Sequence, residues 1–279
     1  MTHPVLSAIN NALERAQEDG MRAHLGASVI GDECDRKIWY GFRWATTKHH
    51  AGRILRLFNR GHLEENRFVS WLRDAGIIVA PVDPASGDQW RVSAVNGHFG
   101  GSLDGIAWNI PGIEQFNLTP VDKILTEFKT HNDKSFSKLQ VDGVKKSKPQ
   151  HFAQMQTYME LHKLKLALYL AINKNTDEIH AEFIPYDGIT GNMMVGKASH
   201  LIPLATPPQR ISADPSWFVC KFCDHSDTCH RKAPMAVNCR TCVSSLPTEG
   251  GEWFCIKWNG VIPLETQKKG CEWHTPIPQ

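Results

Sequence analysis

Asp104 sits in GSLDGIAW, at the end of an extended run and just before Gly105, and Glu127 and Lys129 follow in ILTEFKTH. Ile124 and Leu125 mark the second segment as a buried strand, where side chains two apart share a face. An acid and an ammonium therefore lie side by side on a hydrophobic element. Two carboxylates converging from adjacent strands make an oxygen site for Mg2+ or Mn2+. A lysine beside them can orient or deprotonate an attacking water and neutralise charge on a phosphate. These are the parts of metal-assisted phosphodiester hydrolysis. The spacing alone is loose, because Glu-x-Lys also describes a solvated strand face carrying a surface ion pair.

Other residues suit the same chemistry. His62 and Glu65 are one helical turn apart and share a face, and a neutral imidazole is a good Mn2+ ligand. Gln154 and Tyr158, spaced i, i+4 on a predicted helix, can present an amide and a phenol to a phosphate or a water. Lys145, Lys146 and Lys148 form a small basic cluster beside that helix, which phosphates would attract.

The elements that must position these groups are legible in outline. Apolar spacing predicts a helix over 4–19 on Leu6, Ile9 and Leu13, and another over 51–75 on Leu57, Phe68 and Leu72, stopped by Gly76. Strand-like runs follow at 77–82, 89–95 and 98–108, then a Pro/Gly/Asn loop and the strand KILTEFK. Residues 130–150 read as a polar connection, 151–163 as helix, and 166–172 and 179–186 as strands joined by a turn in NKNTDE. Residues 187–206 are weakly helical and PLATPP leads into a cysteine-rich region. The order predicts a mixed α/β core with a metal-rich tail.

The bulk composition narrows the class. The 279 residues are 41% hydrophobic and 22% charged with a net charge of +2, so nucleic-acid binding has to come from local patches. No apolar run approaches the roughly 20 residues that span a bilayer, and the first residues lack the apolar block of a signal peptide. The expectation is an intracellular protein with no membrane contact. In that setting the 8 cysteines point to metal rather than disulfides. Cys34 stands alone; Cys220, Cys223, Cys229, Cys239, Cys242, Cys255 and Cys271 crowd the last 60 residues.

With its motifs in order, the chain resembles the RecB-like exonucleases of the PD-(D/E)xK superfamily. It is most similar to phage and prophage members and to the iron–sulfur CRISPR-associated adaptation nucleases. The matching stretches are CDRKIWY with Cys34, RGHLEE with His62, GSLDG with Asp104, EFK with Glu127 and Lys129, and QMQTY with Gln154 and Tyr158. Leu103 stands where the superfamily's name has proline. The resemblance covers roughly residues 28 to 232 and implies a restriction-endonuclease-like α/β core, a mixed central sheet flanked by helices. It implies that His62, Asp104 and Glu127 ligate the metal, that Lys129 is catalytic, and that Gln154 and Tyr158 assist. It implies DNA as substrate, single-stranded or with free ends, a recombination or replication protein as partner, and the cytoplasm of a bacterial or phage-infected cell.

The cysteines form two sets. Cys220, Cys223 and Cys229 need a fourth thiolate, which the similar nucleases take from the position of Cys34 for a [4Fe–4S] cluster. A zinc site would use the same four residues, and spacing does not separate the two metals. In the tail, Cys239-x2-Cys242 followed by Cys255 and Cys271 has the composition of a small zinc module, with His274 as the alternative to Cys271. Trp253, Trp258 and Trp273 are expected to form its core, base stacking being the sharper reading. The expected domains are a nuclease core over 1–232 and a zinc module over 233–279. The expected activity is a metal-dependent DNA exonuclease. The alternatives are a non-catalytic DNA-binding scaffold on a nuclease-like core and a DNA endonuclease.

Overall fold

The computed structural model of the chain describes residues 3–17 and 19–279. It is mixed α/β. In chain order the elements are α1 (Pro4–Arg15), β1 (Leu25–Gly26), α2 (Asp35–Phe42), α3 (Gly52–Asp74), β2 (Ile78–Ala80), β3 (Arg91–Ala94), β4 (Phe99–Ser102), β5 (Gly105–Trp108), β6 (Ile124–His131), α4 (Asp133–Ser147), α5 (Pro149–His162), β7 (Leu166–Asn173), β8 (Ile179–Pro185) and α6 (Gly188–Leu201). The remainder holds α7 (Phe218–Lys221), α8 (Ser226–Arg231), β9 (Ser245–Pro247), β10 (Trp253–Cys255), β11 (Gly260–Val261) and α9 (Leu264–Lys269). Among the described residues no helix is long and apolar enough to cross a membrane.

The chain divides into two compact units, Met1–Gln17, His50–Val92 and Gly101–Met194 in the first and Glu18–His49, Ser93–Gly100 and Val195–Gln279 in the second. These boundaries differ from the expected one at 232/233. Residues 233–279 belong to the same unit as 18–49, and the reason is visible in the bonds. Arg240, fully buried, donates to the carbonyls of Arg22, Ala23 and Phe42, and the Asn238 side chain donates to the Trp44 carbonyl. A guanidinium has five donors that must be met when buried, so these bonds tie the tail to the earlier segment.

The first unit carries a five-stranded sheet in the order β2-β5-β6-β7-β8. Only β6 and β7 run parallel; the crossover between them is α4–α5. β7 is buried along its whole length, as a central strand covered on both faces must be. One face of β6 and β7 sends Ile124, Phe128, Leu166, Leu168, Leu170 and Ile172 into the main core against Phe68, Val69 and Leu72 of α3. Phe68 and Phe128 stack with ring centroids 5.1 Å apart. The opposite face is where the chemistry lies.

Three expectations are corrected. Residues 133–147 are helix, not a polar connection: Phe136, Leu139 and Val144 are buried, and the kink at Gly143 (φ 69°) obscures their periodicity. Of the three tail tryptophans only Trp253 is core; Trp258 and Trp273 are about half exposed. The run at 98–108 is two strands, broken at Leu103 and Asp104.

Candidate active site

β6 alternates, so Glu127, Lys129 and His131 share the face opposite Phe128. Pairing puts Tyr169 of β7 beside Glu127 and the small Ala171 beside Lys129, leaving that lysine room. Asp104 immediately precedes β5, whose Gly105 pairs with Thr126. Its Oδ2 accepts a hydrogen bond of 2.7 Å from the Phe128 N–H, which locks the carboxylate between Glu127 and Lys129. Lys129 Nζ donates to Glu127 Oε1 and to the Phe128 carbonyl, and stands 3.9 Å from Asp104 Oδ2.

A further carboxylate belongs to this cluster. Glu65 of α3 feels burial first, then the Asp104 charge, and both push its carboxyl up. His62, expected as a metal ligand, lies outside: its side chain is 76% exposed and its Nδ1 is 3.5 Å from Glu65 Oε1. The sequence singled out the His62–Glu65 pair, but positions three apart differ by about 60° around a helix, and only the folded core decides which one faces inward.

Glu65, Asp104 and Glu127 thus share one ammonium, Lys129. Burial pushes Glu127 up to about 7; Lys129 opposes that shift while Asp104 and Glu65 reinforce it. Burial alone would lower the Lys129 ammonium, but the Glu127 and Asp104 carboxylates outweigh it and hold the pKa above the ordinary lysine range. Glu127 Oε2 is buried without a hydrogen-bond partner among the described residues. An orphaned carboxylate oxygen amid surplus negative charge is what a divalent cation would satisfy, so the donor set fits Mg2+ or Mn2+. Among the described residues, however, no three His, Cys, Asp or Glu side chains stand as a ready ligand set. Around Glu127 and Asp104, Lys129 takes up part of the space between them.

Gln154 and Tyr158 of α5 come to the same site. Gln154 Nε2 donates to Tyr158 Oη at 3.3 Å, and both side chains are buried. Burial, then the Glu127 charge, raises the Tyr158 pKa, so the phenol keeps its proton. A Cβ on Gly101 would sit 2.6 Å from Tyr158 Oη, so only glycine permits this approach. Lys145, Lys146 and Lys148 are engaged elsewhere: Lys145 with Asp187 at 3.4 Å, Lys146 with Asp142 at 2.7 Å and Lys148 with the Ser135 hydroxyl at 2.7 Å.

No family model matches the chain. No curated protein matches it either. Solved structures do. An alkaline exonuclease, LHK-Exo, from Laribacter hongkongensis is similar at 17% identity and a TM-score of 0.44, over 68% of this chain and 90% of that one. LHK-Exo in complex with dAMP is similar at 15% identity and a TM-score of 0.44, over 70% of this chain and 90% of that one. SSO0001 is similar at 15% identity and a TM-score of 0.46, over 83% of this chain and 98% of that one.

The cysteines all lie in the second unit. Cys34, Cys220, Cys223 and Cys229 line one cavity with Arg36, Lys37 and His225. Burial, then the charges of Cys34, Cys229 and Cys223, raises the Cys220 thiol. In the tail, burial and then the charges of Cys271, Cys242 and Cys255 push Cys239 up to about 11. His274 turns its Nε2 to the Thr241 hydroxyl at 3.1 Å. Cys220 and Cys239 thus resist ionising, and among the described residues neither cysteine set stands as a ready metal-ligand group.

Proposed function

We propose that the chain is a metal-dependent deoxyribonuclease that hydrolyses phosphodiester bonds from DNA ends. The observation that carries the reading is Glu127 Oε2, buried without a hydrogen-bond partner among the described residues, in a cluster with Asp104, Glu65 and Lys129. Glu127 and Asp104, with Glu65 from α3, would hold the Mg2+ or Mn2+. When bound, such an ion supplies Lewis-acid polarisation of a phosphoryl oxygen and makes a nearby water more acidic. Lys129 remains an ammonium, because Glu127 and Asp104 stabilise its charge. As an ammonium it would neutralise charge that builds on the phosphate and orient the water. Tyr158 and Gln154 are neutral donors that can hold a phosphate oxygen or the water. DNA, an end-directed mode and a phage or prophage role in recombination, replication or processing follow from the motif resemblance.

Two structural metals complete the proposal. Cys34, Cys220, Cys223 and Cys229 would hold a [4Fe–4S] cluster, with Zn2+ as the alternative at the same residues. Cys239, Cys242, Cys255 and Cys271 would hold Zn2+. The His274–Thr241 contact favours Cys271 as the fourth ligand. Metal analysis and the absorption spectrum of anaerobically purified protein separate iron–sulfur from zinc. Incubation with end-labelled linear and circular single-stranded DNA tests the activity: cleavage from ends supports the exonuclease, cut circles an endonuclease, and no cleavage a scaffold.

A further inference from the structure

His131, Tyr169 and His151 make no part of the chemistry above, yet they adjoin it. Tyr169 Oη is 3.0 Å from His131 Nε2 and 2.9 Å from His151 Nδ1. His131 Nδ1 is 3.1 Å from the Ser135 hydroxyl, which also accepts from Lys148 Nζ at 2.7 Å. The rings of His131 and His151 stack at 5.9 Å.

Proton accounting fixes the direction of these bonds. Lys148 can only donate. The Ser135 hydroxyl has two lone pairs but one proton, and among the described residues the acceptor that proton meets is His131 Nδ1, so it donates there. A neutral His131 then carries its proton on Nε2 and donates to Tyr169. Tyr169 passes its own proton to His151 Nδ1, which leaves the His151 proton on Nε2. Both imidazoles are neutral: burial, reinforced by Lys148 and Lys129, holds His131 near 4, and burial, reinforced by Lys129 and His131, holds His151 near 3. The hydrogen bond of His151 to Tyr169 is made through Nδ1, so Nε2 is the nitrogen left to carry the proton outward. His151 is three residues before Gln154 and seven before Tyr158, so the three share one stripe of α5.

We propose that Lys148, Ser135, His131 and Tyr169 form a one-way hydrogen-bond chain that fixes His151 as its Nε2–H tautomer, and that this N–H binds a phosphate oxygen of the DNA strand held at Glu127 and Lys129. His151 is then a substrate-binding residue, and His131 and Tyr169 are positioning residues. The inference rests on the nuclease reading for the identity of the ligand but not for the tautomer.

Nitrogen-15 NMR of the metal-free wild-type protein reads the tautomers directly. The expected spectrum shows protonated Nε2 and bare Nδ1 on both His131 and His151, and Tyr169→Phe should return His151 to a tautomer mixture. Protonated Nδ1 on either wild-type ring overturns the chain. The contact is read by binding of an end-labelled single-stranded oligonucleotide in EDTA. His151→Phe should weaken it roughly tenfold to hundredfold, the worth of one hydrogen bond to a charged group, and His151→Gln, which keeps a donor, should recover part of the loss. Binding by His151→Phe within twofold of wild type overturns the contact. Wild-type protein that binds the oligonucleotide but cleaves no DNA in Mg2+ or Mn2+ removes the nuclease reading and leaves this contact standing.

Discussion

Asp104 has two separable tasks, and two substitutions divide them. Its Oδ2 accepts the Phe128 N–H at 2.7 Å, and its charge helps to push Glu127 up to about 7. Asp104→Ala and Asp104→Asn both remove the charge, so the relief of repulsion on Glu127 is common to them. Only Asp104→Asn keeps an oxygen for the Phe128 N–H. The stability difference between the variants therefore isolates that hydrogen bond, and an orphaned part-buried N–H costs about 1–3 kcal/mol. At about 2–4 °C per kcal/mol for a unit of this size, Asp104→Ala should melt roughly 2–12 °C below Asp104→Asn. Thermal unfolding in EDTA followed by circular dichroism measures this. Both variants should lose DNA cleavage and Mn2+ affinity, since a neutral amide is a poor ligand for a hard cation. Equal melting points for the two variants would refute the anchoring role of Asp104, and cleavage retained by Asp104→Asn would refute its role in metal binding.

Three further outcomes follow from the geometry. Glu65→Gln should reduce cleavage at least tenfold and shift the Mg2+/Mn2+ preference, while His62→Ala, at an exposed position, should stay within about threefold of wild type; the reverse ranking would restore His62 as the ligand. His131, 7% exposed, has its folded pKa held down near 4 against an ordinary 6.5. Between those values the unfolded chain takes up a proton that the native state refuses, so the His131 contribution is full above about pH 6.5 and falls as pH drops toward 4, by about 3 kcal/mol at most. Glu127, pushed up to about 7, contributes with the opposite sign over the same range, so the difference in urea midpoint between metal-free wild type and His131→Asn from pH 7 to 4 measures it, and parallel profiles contradict it. Arg240→Ala leaves the Arg22, Ala23 and Phe42 carbonyls without their donor, so hydrogen exchange should show lost protection in residues 22–45 as well as in 233–279. Loss confined to the tail would mean the tail is an independent module.

The face of β6 could be read from the sequence because its period is local: Glu127 and Lys129 are two apart, and a strand allows only one outcome. The boundaries of α3, β6, α5, β7 and β8 were likewise close to those observed, since each is a strongly periodic or continuously apolar run. What escaped was non-local. The second half of α4 is held by Glu182 of β8, which accepts the Val144 N–H at 2.9 Å just past the Gly143 kink. Nothing within 133–147 announces that partner. The lysine cluster at 145–148 looked free because its partners Asp187 and Ser135 come from elsewhere in the chain. The tail looked separable because burial of Arg240 depends on residues some two hundred positions earlier.

The central claim is that Lys129, held as an ammonium by Glu127 and Asp104, serves DNA hydrolysis that depends on a divalent ion. The most direct measurement is cleavage of end-labelled single-stranded DNA by wild-type protein and Lys129→Met, each with Mg2+, with Mn2+ and with EDTA, alongside Mn2+ binding by both. Wild type should release nucleotides or short oligonucleotides with either ion and none in EDTA. Lys129→Met should bind Mn2+ at least as well as wild type, having lost a competing cation, and should not cleave. Full cleavage by Lys129→Met, or undiminished wild-type cleavage in EDTA, would contradict the account.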